Sequence, residues 1–526
     1  MATATAAQTD VPSPLQELRP PREPRSEPFA VTLRAGGAQY RGRIAARAES
    51  FDEEGLRLRA ERPLPVGTRV RARFDAPKSM TPARSGMRCA FGATVVRAQE
   101  SELTLRWDEP LSKLLLEAAT ARQRRLGFVL LAALAVAILS QRSSYDYFWY
   151  NPLASLYALS LGVYFYSRFL LALIHQPPAR TGYEPTLSII VSARNEEKAI
   201  AVNVASCYAA DYPAEKREVI VVDDGSTDAT PRILAELKKE YPTLKTFSIP
   251  PEGKRAAMAK GIREATGELV VVLDSDTSLE RDALRQIVCG FENPELGAAS
   301  GYTGVANSDK NMLTRMQDVR YLVSFDLMKS SESLFGAVTC CPGCLSAYRR
   351  EYLMKVLEPW LAQTFLGARA TFGDDRSLTN YILRDYRVIY NPLARATTIV
   401  PETWMHYMRQ QCRWKKSWLR EAPIAARILA RKQPLAALSF YASALCSLIS
   451  PILALRYVLW DHERLVTGYV EGFLLIGFIL GVFALWRRPT RHWYLAWLWI
   501  ATQLVLMAPQ TYWAMLTMRK NHWGTR

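Results

Sequence analysis

Val219-Ile-Val-Val-Asp-Asp-Gly-Ser-Thr-Asp228 is four β-branched residues running straight into an acidic turn that contains glycine. A short apolar run with a turn signal at its end reads as a fully buried strand. The same grammar recurs at Leu269-Val-Val-Val-Leu-Asp-Ser-Asp276, and Leu187-Ser-Ile-Ile-Val191 supplies a strand upstream. Residues 196–209, between the first strand and the second, have a helical pattern. Strand–helix–strand alternation predicts an α/β fold with a mostly parallel sheet and right-handed crossovers. Such sheets bind ligands at the carboxyl ends of their strands, and the acidic motifs stand at those ends.

Asp274 and Asp276 share one strand-end loop. Two hard oxygen ligands there suit Mg²⁺ or Mn²⁺, which would also bind a diphosphate. Asp223 and Asp224 would hydrogen-bond the base and ribose of a nucleotide; the same residues also read as a tight turn that caps the next helix. Lys254-Arg255 follows a glycine and reads equally as a phosphate contact or a solvated helix start. Further on, Gly373-Asp-Asp-Arg376 sets two adjacent carboxylates ahead of the cationic, aromatic Gln410-Gln-Cys-Arg-Trp414, and from Pro434 the chain turns strongly apolar. That order points to chemistry at a membrane surface, with the product passed into the membrane.

The 526 residues predict two or three domains. A net charge of +17 fits nucleic acid, anionic lipid or anionic substrates. The basic residues cluster beside apolar runs, at Arg122-Gln-Arg-Arg125, Arg431-Lys432 and Arg487-Arg488, which is the pattern of cytoplasmic membrane loops. No nucleic-acid motif is present, and no nucleic-acid partner is expected. Eight cysteines make no disulfide framework in a chain this long. Cys340, Cys341 and Cys344 lack a nearby fourth ligand for zinc and read as reduced thiols lining a pocket. Residues 1–10 show no signal-peptide pattern.

Residues 1–28 are rich in Pro, Arg and Glu and are expected to be disordered. Residues 29–115 alternate apolar with polar in short runs and predict a small β-barrel. Residues 126–140 with their extension, then 152–174, predict a transmembrane hairpin within 126–175, with Arg168 snorkelling near its end. Residues 404–432 predict an amphipathic interface helix, with Trp404, Tyr407, Trp414, Trp418 and Leu419 on its apolar face. Residues 434–518 predict further spans, the last of them broken by Pro509 into a re-entrant hairpin.

Ala193-Arg-Asn-Glu196, the two strand-end acidic motifs, Cys340-Cys-Pro-Gly-Cys344, Gly373-Asp-Asp-Arg-Ser-Leu-Thr-Asn-Tyr381, Gln410-Gln-Cys-Arg-Trp-Lys-Lys-Ser-Trp-Leu-Arg-Glu421 and Trp523-Gly-Thr-Arg526 together resemble the membrane-embedded, inverting family-2 glycosyltransferases. Within them the chain is most similar to hyaluronan synthases. The similarity covers about residues 120–526. It implies a GT-A-type domain over 183–403, set between transmembrane helices, that builds hyaluronan from UDP-GlcNAc and UDP-GlcA. It implies Asp375 as the general base, with Asp374 raising its pKa and Arg376 opposing that. Asp276 and Asp274 would hold Mg²⁺ or Mn²⁺. Arg194, Glu196, Asp223, Asp224, Lys254, Arg255, Asp274, Gln410 and Arg413 would hold the nucleotide sugar. A gating segment, 519–526, would close over it through Trp523, Thr525 and Arg526. Cys341, Cys344, Arg376, Gln411 and Trp414 would line the acceptor site. The growing polysaccharide and membrane lipid are the other partners, and a bacterial-type inner membrane with the catalytic domain and both termini cytoplasmic is the expected setting. A chitin-type synthase using UDP-GlcNAc alone, a lipid-linked sugar transferase and a non-catalytic export scaffold stay open. The N-terminal barrel resembles a PilZ domain. Its turn Ser50-Phe-Asp-Glu-Glu-Gly55 departs from the cyclic di-GMP pattern at two positions, and Arg19-Pro-Pro-Arg22 is one residue short of the binding arm. A structural or regulatory barrel without nucleotide is expected.

Overall fold

A computed structural model of the chain describes residues 29–35, 44–51, 54–75, 88–99, 101–108, 111, 152–460, 471–488 and 490–519. The tail 1–28, the apolar run 126–140 and the terminal 523–526 lie outside the described residues. The chain divides into two compact units, Met1–Leu126 and Gly127–Arg526.

In the first unit, β1 (Phe29–Ala35), β2 (Ile44–Phe51), β3 (Gly55–Ala60), β4 (Arg69–Asp75), β5 (Arg88–Gln99) and β6 (Glu102–Trp107) close into an antiparallel barrel, in the order β1-β2-β3-β6-β5-β4. The alternation decides what faces inward: Leu56, Leu58, Val70 and Ala72 are buried, while Arg57, Arg59, Arg69 and Arg71 are exposed. Phe91 packs edge-on against Phe74 at 5.7 Å and against Trp107 at 5.9 Å. The whole core comes from the barrel's own strands and turns. Closure also removes free sheet edges, so this unit holds all it needs to fold by itself.

The second unit is built on an eight-stranded sheet. Its strands are β7 (Leu187–Ala193), β8 (Arg217–Asp223), β9 (Lys245–Ser248), β10 (Leu269–Asp274), β11 (Thr277–Leu279), β12 (Leu296–Val305), β13 (Ser346–Arg349) and, after the two-residue hairpin strands β14 (Thr364–Phe365) and β15 (Ala368–Arg369), β16 (Arg387–Thr398). The order is β11-β16-β12-β13-β10-β7-β8-β9. The half β10-β7-β8-β9 is parallel, as expected. The other half departs from expectation, because β13 runs antiparallel to both β10 and β12. The strands are continuously apolar because both faces are covered. Ile190, Ile220, Val270 and Val272 enter one core, and Ile189, Val191, Val219, Val271 and Leu273 enter the other.

The helices, in chain order, are α1 (Pro152–Ile174), α2 (Ile200–Ala209), α3 (Thr230–Glu240), α4 (Lys254–Glu264), α5 (Met312–Leu322), α6 (Arg350–Leu361), α7 (Asp374–Leu383), α8 (Trp404–Lys432), α9 (Pro434–Trp460), α10 (Glu471–Arg487), α11 (Ala496–Thr502) and α12 (Ala508–Leu516). Among the described residues α9 is long and apolar enough to cross a membrane. It leaves Leu435, Leu438, Leu445, Ile452, Leu455 and Trp460 exposed along its length.

Two expectations are corrected here. Arg168 does not snorkel; it is buried, donates to Ser331 Oγ at 2.9 Å and stacks over Tyr164, because α1 packs against the protein on that face. Pro509 does not fold residues 493–518 into a hairpin. It is the second residue of α12, directly after a π-helical turn at Gln503–Met507 whose widened ladder accommodates a residue with no N–H to give, so α11 runs on into α12. On α8, Trp404 and Trp414 are exposed, while Tyr407, Ala422, Ala425, Ala426, Ile428 and Leu429 are buried together with Gln411, Ser417, Arg420 and Glu421.

Of the pair Arg487-Arg488, the second is structural. The Arg488 guanidinium meets Asp326, which is fully buried in a second π-turn, Val323–Lys329. Tyr390 Oη donates to the same carboxylate at 2.7 Å, and the guanidinium lies 3.6 Å from the centroid of Tyr302. This ties the end of α10 to the sheet. Removing one partner of a buried ion pair strands the other charge, at a cost of roughly 3–5 kcal/mol. We expect Arg488→Met to lower the thermal midpoint of the purified protein accordingly; an unchanged midpoint would mean that Asp326 does not depend on this cation.

Candidate active site

The strand-end acids face a cavity of about 2240 Å³ within the second unit. Asp224 and Asp274 stand at the ends of β8 and β10, and Asp276 lies between β10 and β11. Asp224 accepts backbone N–H groups from Glu252 at 2.9 Å and Gly253 at 2.9 Å, and pairs with Arg194 at 3.4 Å. It thus pins the loop that leads into α4. Asp223 does not line the cavity. Its carboxylate accepts from Ser226 in a tight turn, which fits the turn reading. Asp228, not Asp223, serves the start of α3, accepting from Thr230 N–H at 3.0 Å.

Lys254 sits against Asp274. Burial works against its charge, but Asp274, then Asp374 and Asp375, more than offset this and hold the ammonium well above the usual lysine range. A cation is thus already favoured beside Asp274. Gly343 leaves room for it: a Cβ there would lie 2.6 Å from Asp274 Oδ1 and 2.9 Å from Lys254 Nζ. Asp276 Oδ1 accepts from Thr398 Oγ1 at 3.2 Å. Two carboxylates around a space that holds positive charge fit a hard divalent ion. No cluster of three or more His, Cys, Asp or Glu in metal-binding array occurs among the described residues.

Asp374 and Asp375 open α7. Gly373 precedes them at φ +73°, and a Cβ there would lie 1.9 Å from Ser417 Oγ of α8. Only glycine satisfies both the left-handed backbone and the close approach. Asp374 is buried, and its Oδ1 accepts from Arg255 Nε at 2.9 Å. Asp375 lines the cavity, half-buried, and accepts Arg376 N–H at 2.8 Å. Arg255 is no solvated helix start: it is 6% exposed, faces Asp374 and lies on the cavity wall. Its guanidinium also donates to Trp360 O at 2.9 Å and stacks 4.8 Å over that ring.

From Arg255 a buried polar chain runs into α8. Arg255 Nη1 donates to Gln363 Oε1 at 3.3 Å, and Gln363 Nε2 donates to Glu421 at 2.9 Å. Glu421 also accepts from Asn380 of α7 at 3.0 Å and from Arg420 at 2.7 Å, and Arg420 donates to Phe372 O at 2.6 Å. Gln363 and Trp360 were not picked out from sequence. Each is a lone polar or aromatic residue in an ordinary stretch, and only the fold brings it to the acids; Asn380 stands within the quoted Gly373–Tyr381 motif but was given no role there.

The thiols are redistributed. Cys344 meets Asp274 Oδ2 at 3.4 Å and lines the cavity, as expected. Cys341 does not line it. It is fully buried in the core, with its N–H on Thr379, and Cys340 takes the cavity side, 3.6 Å from Asp375 Oδ2. Neighbouring side chains on extended chain point opposite ways, which explains the exchange. Burial, then Asp375, pushes Cys340 up to about 11, and burial with Asp274 and Asp276 pushes Cys344 well above the normal thiol range. Both stay protonated and donate to the acids.

Arg194, Glu196, Arg376, Gln410, Gln411, Arg413 and Trp414 all lie on the cavity wall. Arg320 of α5, unforeseen, stacks 4.8 Å over Trp414. Beyond Trp414 the wall continues over Lys415, Ser443, Ser450, Gln503 and Thr511. Trp523, Thr525 and Arg526 fall outside the described residues.

A sheet with acids at its strand ends, opening on a cavity that carries a second acidic pair, defines a glycosyltransferase of GT-A type. The model of "Glycosyl transferase family 2" matches residues 188–357. The chain is 34% identical over 291 residues to an N-acetylglucosaminyltransferase of Rhizobium meliloti (strain 1021), covering 53% of this chain and 68% of that protein. It is 28% identical over 391 residues to a hyaluronan synthase of Streptococcus pyogenes, covering 72% of this chain and 92% of that protein. Among solved structures, the mannosyltransferase PcManGT from Pyrobaculum calidifontis, in complex with GDP-Man and Mn²⁺, matches with a TM-score of 0.45 and 23% identity over 71% of this chain and 100% of its own. The chain belongs to the family-2 glycosyltransferases.

The contact between Gly373 and Ser417 yields a direct test. Gly373→Ala adds backbone strain of about 1–2 kcal/mol and a clash, so sugar transfer is expected to fall at least tenfold. Ser417→Gly removes both the Oγ and the Cβ that the new methyl would meet, at 1.9 and 2.5 Å; alone it should be mild, and the double variant should regain part of the loss. Full activity in Gly373→Ala would show that this approach does not set the acids.

Proposed function

We propose that this chain is a processive, inverting synthase that adds GlcNAc and GlcA alternately from UDP-GlcNAc and UDP-GlcA, and passes hyaluronan through its own membrane segments. The observation that carries this reading is the continuity of one cavity, from Asp224, Asp274 and Asp276, past Asp375 and Trp414, to Ser443, Ser450, Gln503 and Thr511 on the apolar helices. Its wall beyond the acids is cationic as well as polar, with Arg320, Arg409, Arg413 and Lys415, which suits a chain carrying carboxylates.

In this mechanism Asp375 accepts the proton of the acceptor hydroxyl. That oxygen attacks the anomeric carbon from the face opposite the leaving group, the bond to UDP breaks, and configuration inverts. Arg255 and the chain behind it hold Asp374, and with it the start of α7, so that Asp375 meets the cavity. Trp414 stacks on the acceptor sugar while Gln410, Gln411 and Arg413 hold acceptor and phosphate. Asp274 and Asp276 would hold Mg²⁺ or Mn²⁺, whose charge stabilises the departing diphosphate. Lys254 is placed to follow that charge. The catalytic domain and both termini are cytoplasmic in this reading, with α9 in lipid.

A chitin-type product is the second reading, favoured by the Rhizobium meliloti relative. Membrane vesicles holding the protein, supplied with divalent ion, separate the two. Polymer that needs both donors and is cut by hyaluronidase is expected. Polymer from UDP-GlcNAc alone, cut only by chitinase, would replace the first reading with the second. Asp375→Asn should abolish polymer while sparing UDP-sugar binding; polymer at normal yield would remove Asp375 as the base.

Lys415 gives a pH signature. Burial, then Arg320, pushes its ammonium down to about 8, while it donates to Thr511 Oγ1 at 2.9 Å. Its charge is present below that pH and lost above it. Polymer output is therefore expected to fall as pH rises through about 8, and Lys415→Arg should move that limb upward. An unmoved limb would exclude Lys415 as a cationic contact for the polymer.

A further inference from the structure

The barrel's outer wall carries more positive charge than its fold uses. Strand register sets Arg34 of β1 opposite Arg71 of β4, both exposed; a second pair, Arg47 of β2 and Arg59 of β3, lies away from it, because β3 stands three strands from β4 in the closed ring. Arg69 and Arg73 lie on the same outward row as Arg71. Like charges directly opposite each other on antiparallel strands destabilise the sheet. The other cross-strand neighbours of this row are Thr32, Ala90, Gly92 and Thr94, none of them acidic, with the Asp108 carboxylate lying over Gly92. Among the described residues the barrel's ion pairs run from Arg59, to Glu49 at 3.6 Å and Glu102 at 3.4 Å, and none reaches Arg34, Arg47, Arg69, Arg71 or Arg73.

We propose that this arginine wall docks the barrel on an anionic lipid surface. Two observations choose lipid over nucleic acid. The tether is short: residues 112–125 join the barrel to the apolar run beginning at Leu126, a reach of at most about 50 Å. That tether adds Arg122, Arg124 and Arg125 beside the apolar run. The barrel's Phe74, Phe91 and Trp107 are buried, so among the described residues the arginine rows carry no aromatic platform on which bases would stack. The placement of lipid within reach rests on the membrane reading above; the charge on the wall does not.

The barrel, residues 29–111, closes on its own core and can be tested alone by co-sedimentation with vesicles. At 50 mM salt it should bind phosphatidylcholine vesicles containing 30% phosphatidylglycerol at least tenfold more tightly than phosphatidylcholine alone, and release on raising the salt to 300 mM. Each arginine at such a surface is worth roughly fivefold, so joint replacement Arg34→Gln, Arg69→Gln, Arg71→Gln and Arg73→Gln, all on the adjoining strands β1 and β4, should cost more than about a hundredfold. Its melting point should not fall, because the repulsion goes with the charge. If the quadruple variant melts early, the pair Arg34→Gln and Arg71→Gln serves in its place. Equal binding to neutral vesicles, undiminished binding by the folded variant, or tighter binding to single-stranded DNA than to anionic vesicles would overturn the proposal. Alkaline extraction of the full chain from membranes tests the membrane reading separately, since release there would remove that reading and leave the vesicle result standing.

Discussion

Glu421 is 1% exposed on α8, and its carboxylate is shared by Gln363, Asn380 and Arg420. A buried carboxylate is tolerated only when its partners replace water. Here those partners come from three places: the loop after α6, the helix α7 that begins with the two aspartates, and α8 itself. Through Gln363 the same network reaches Arg255 and Asp374. The start of α7 is therefore not set by its own backbone. It is set by charges that must be satisfied together, and Gly373 is the hinge that lets α8 come close enough to do so.

That constraint explains why α8 buries a polar stripe beside its apolar contacts, Tyr407, Ala425, Ala426 and Leu429 among them. An interface helix that only floated on lipid would turn its apolar side inward or downward and keep charge outside. This helix instead commits Gln411, Ser417, Arg420 and Glu421 to the domain beneath it and leaves Trp414 on the cavity wall. Donor-side acids, the second acidic pair and the path toward α9 then share one cavity. Any motion of α8 against α7 would be felt at Asp375.

Much of this was legible in the residues. The valine-rich runs ending in aspartate declared the buried parallel strands and located the acids. The arginine–apolar alternation at 55–59 and 68–74 declared a barrel. What escaped has a physical cause. The antiparallel β13 is four residues inside a cysteine-rich loop, too short for its own period. Arg255 follows Lys254 in a pattern that suits a solvated helix start, and nothing local says that Asp374, more than a hundred residues on, will meet it. Cys340 and Cys341 exchange places because a one-residue step reverses the side-chain direction. Pro509 looked like a break, yet directly after a π-helical turn it ends nothing.

The central claim is that the acids and the interface helix act as one unit. A double-mutant cycle between Arg255→Gln and Glu421→Gln, read as the rate of single-sugar transfer by purified protein, tests it most directly. The two residues share no direct contact but both bond Gln363, so the account predicts a coupling of about 0.5–3 kcal/mol, with UDP-sugar affinity unchanged. Strictly additive losses, or losses confined to donor binding, would contradict it.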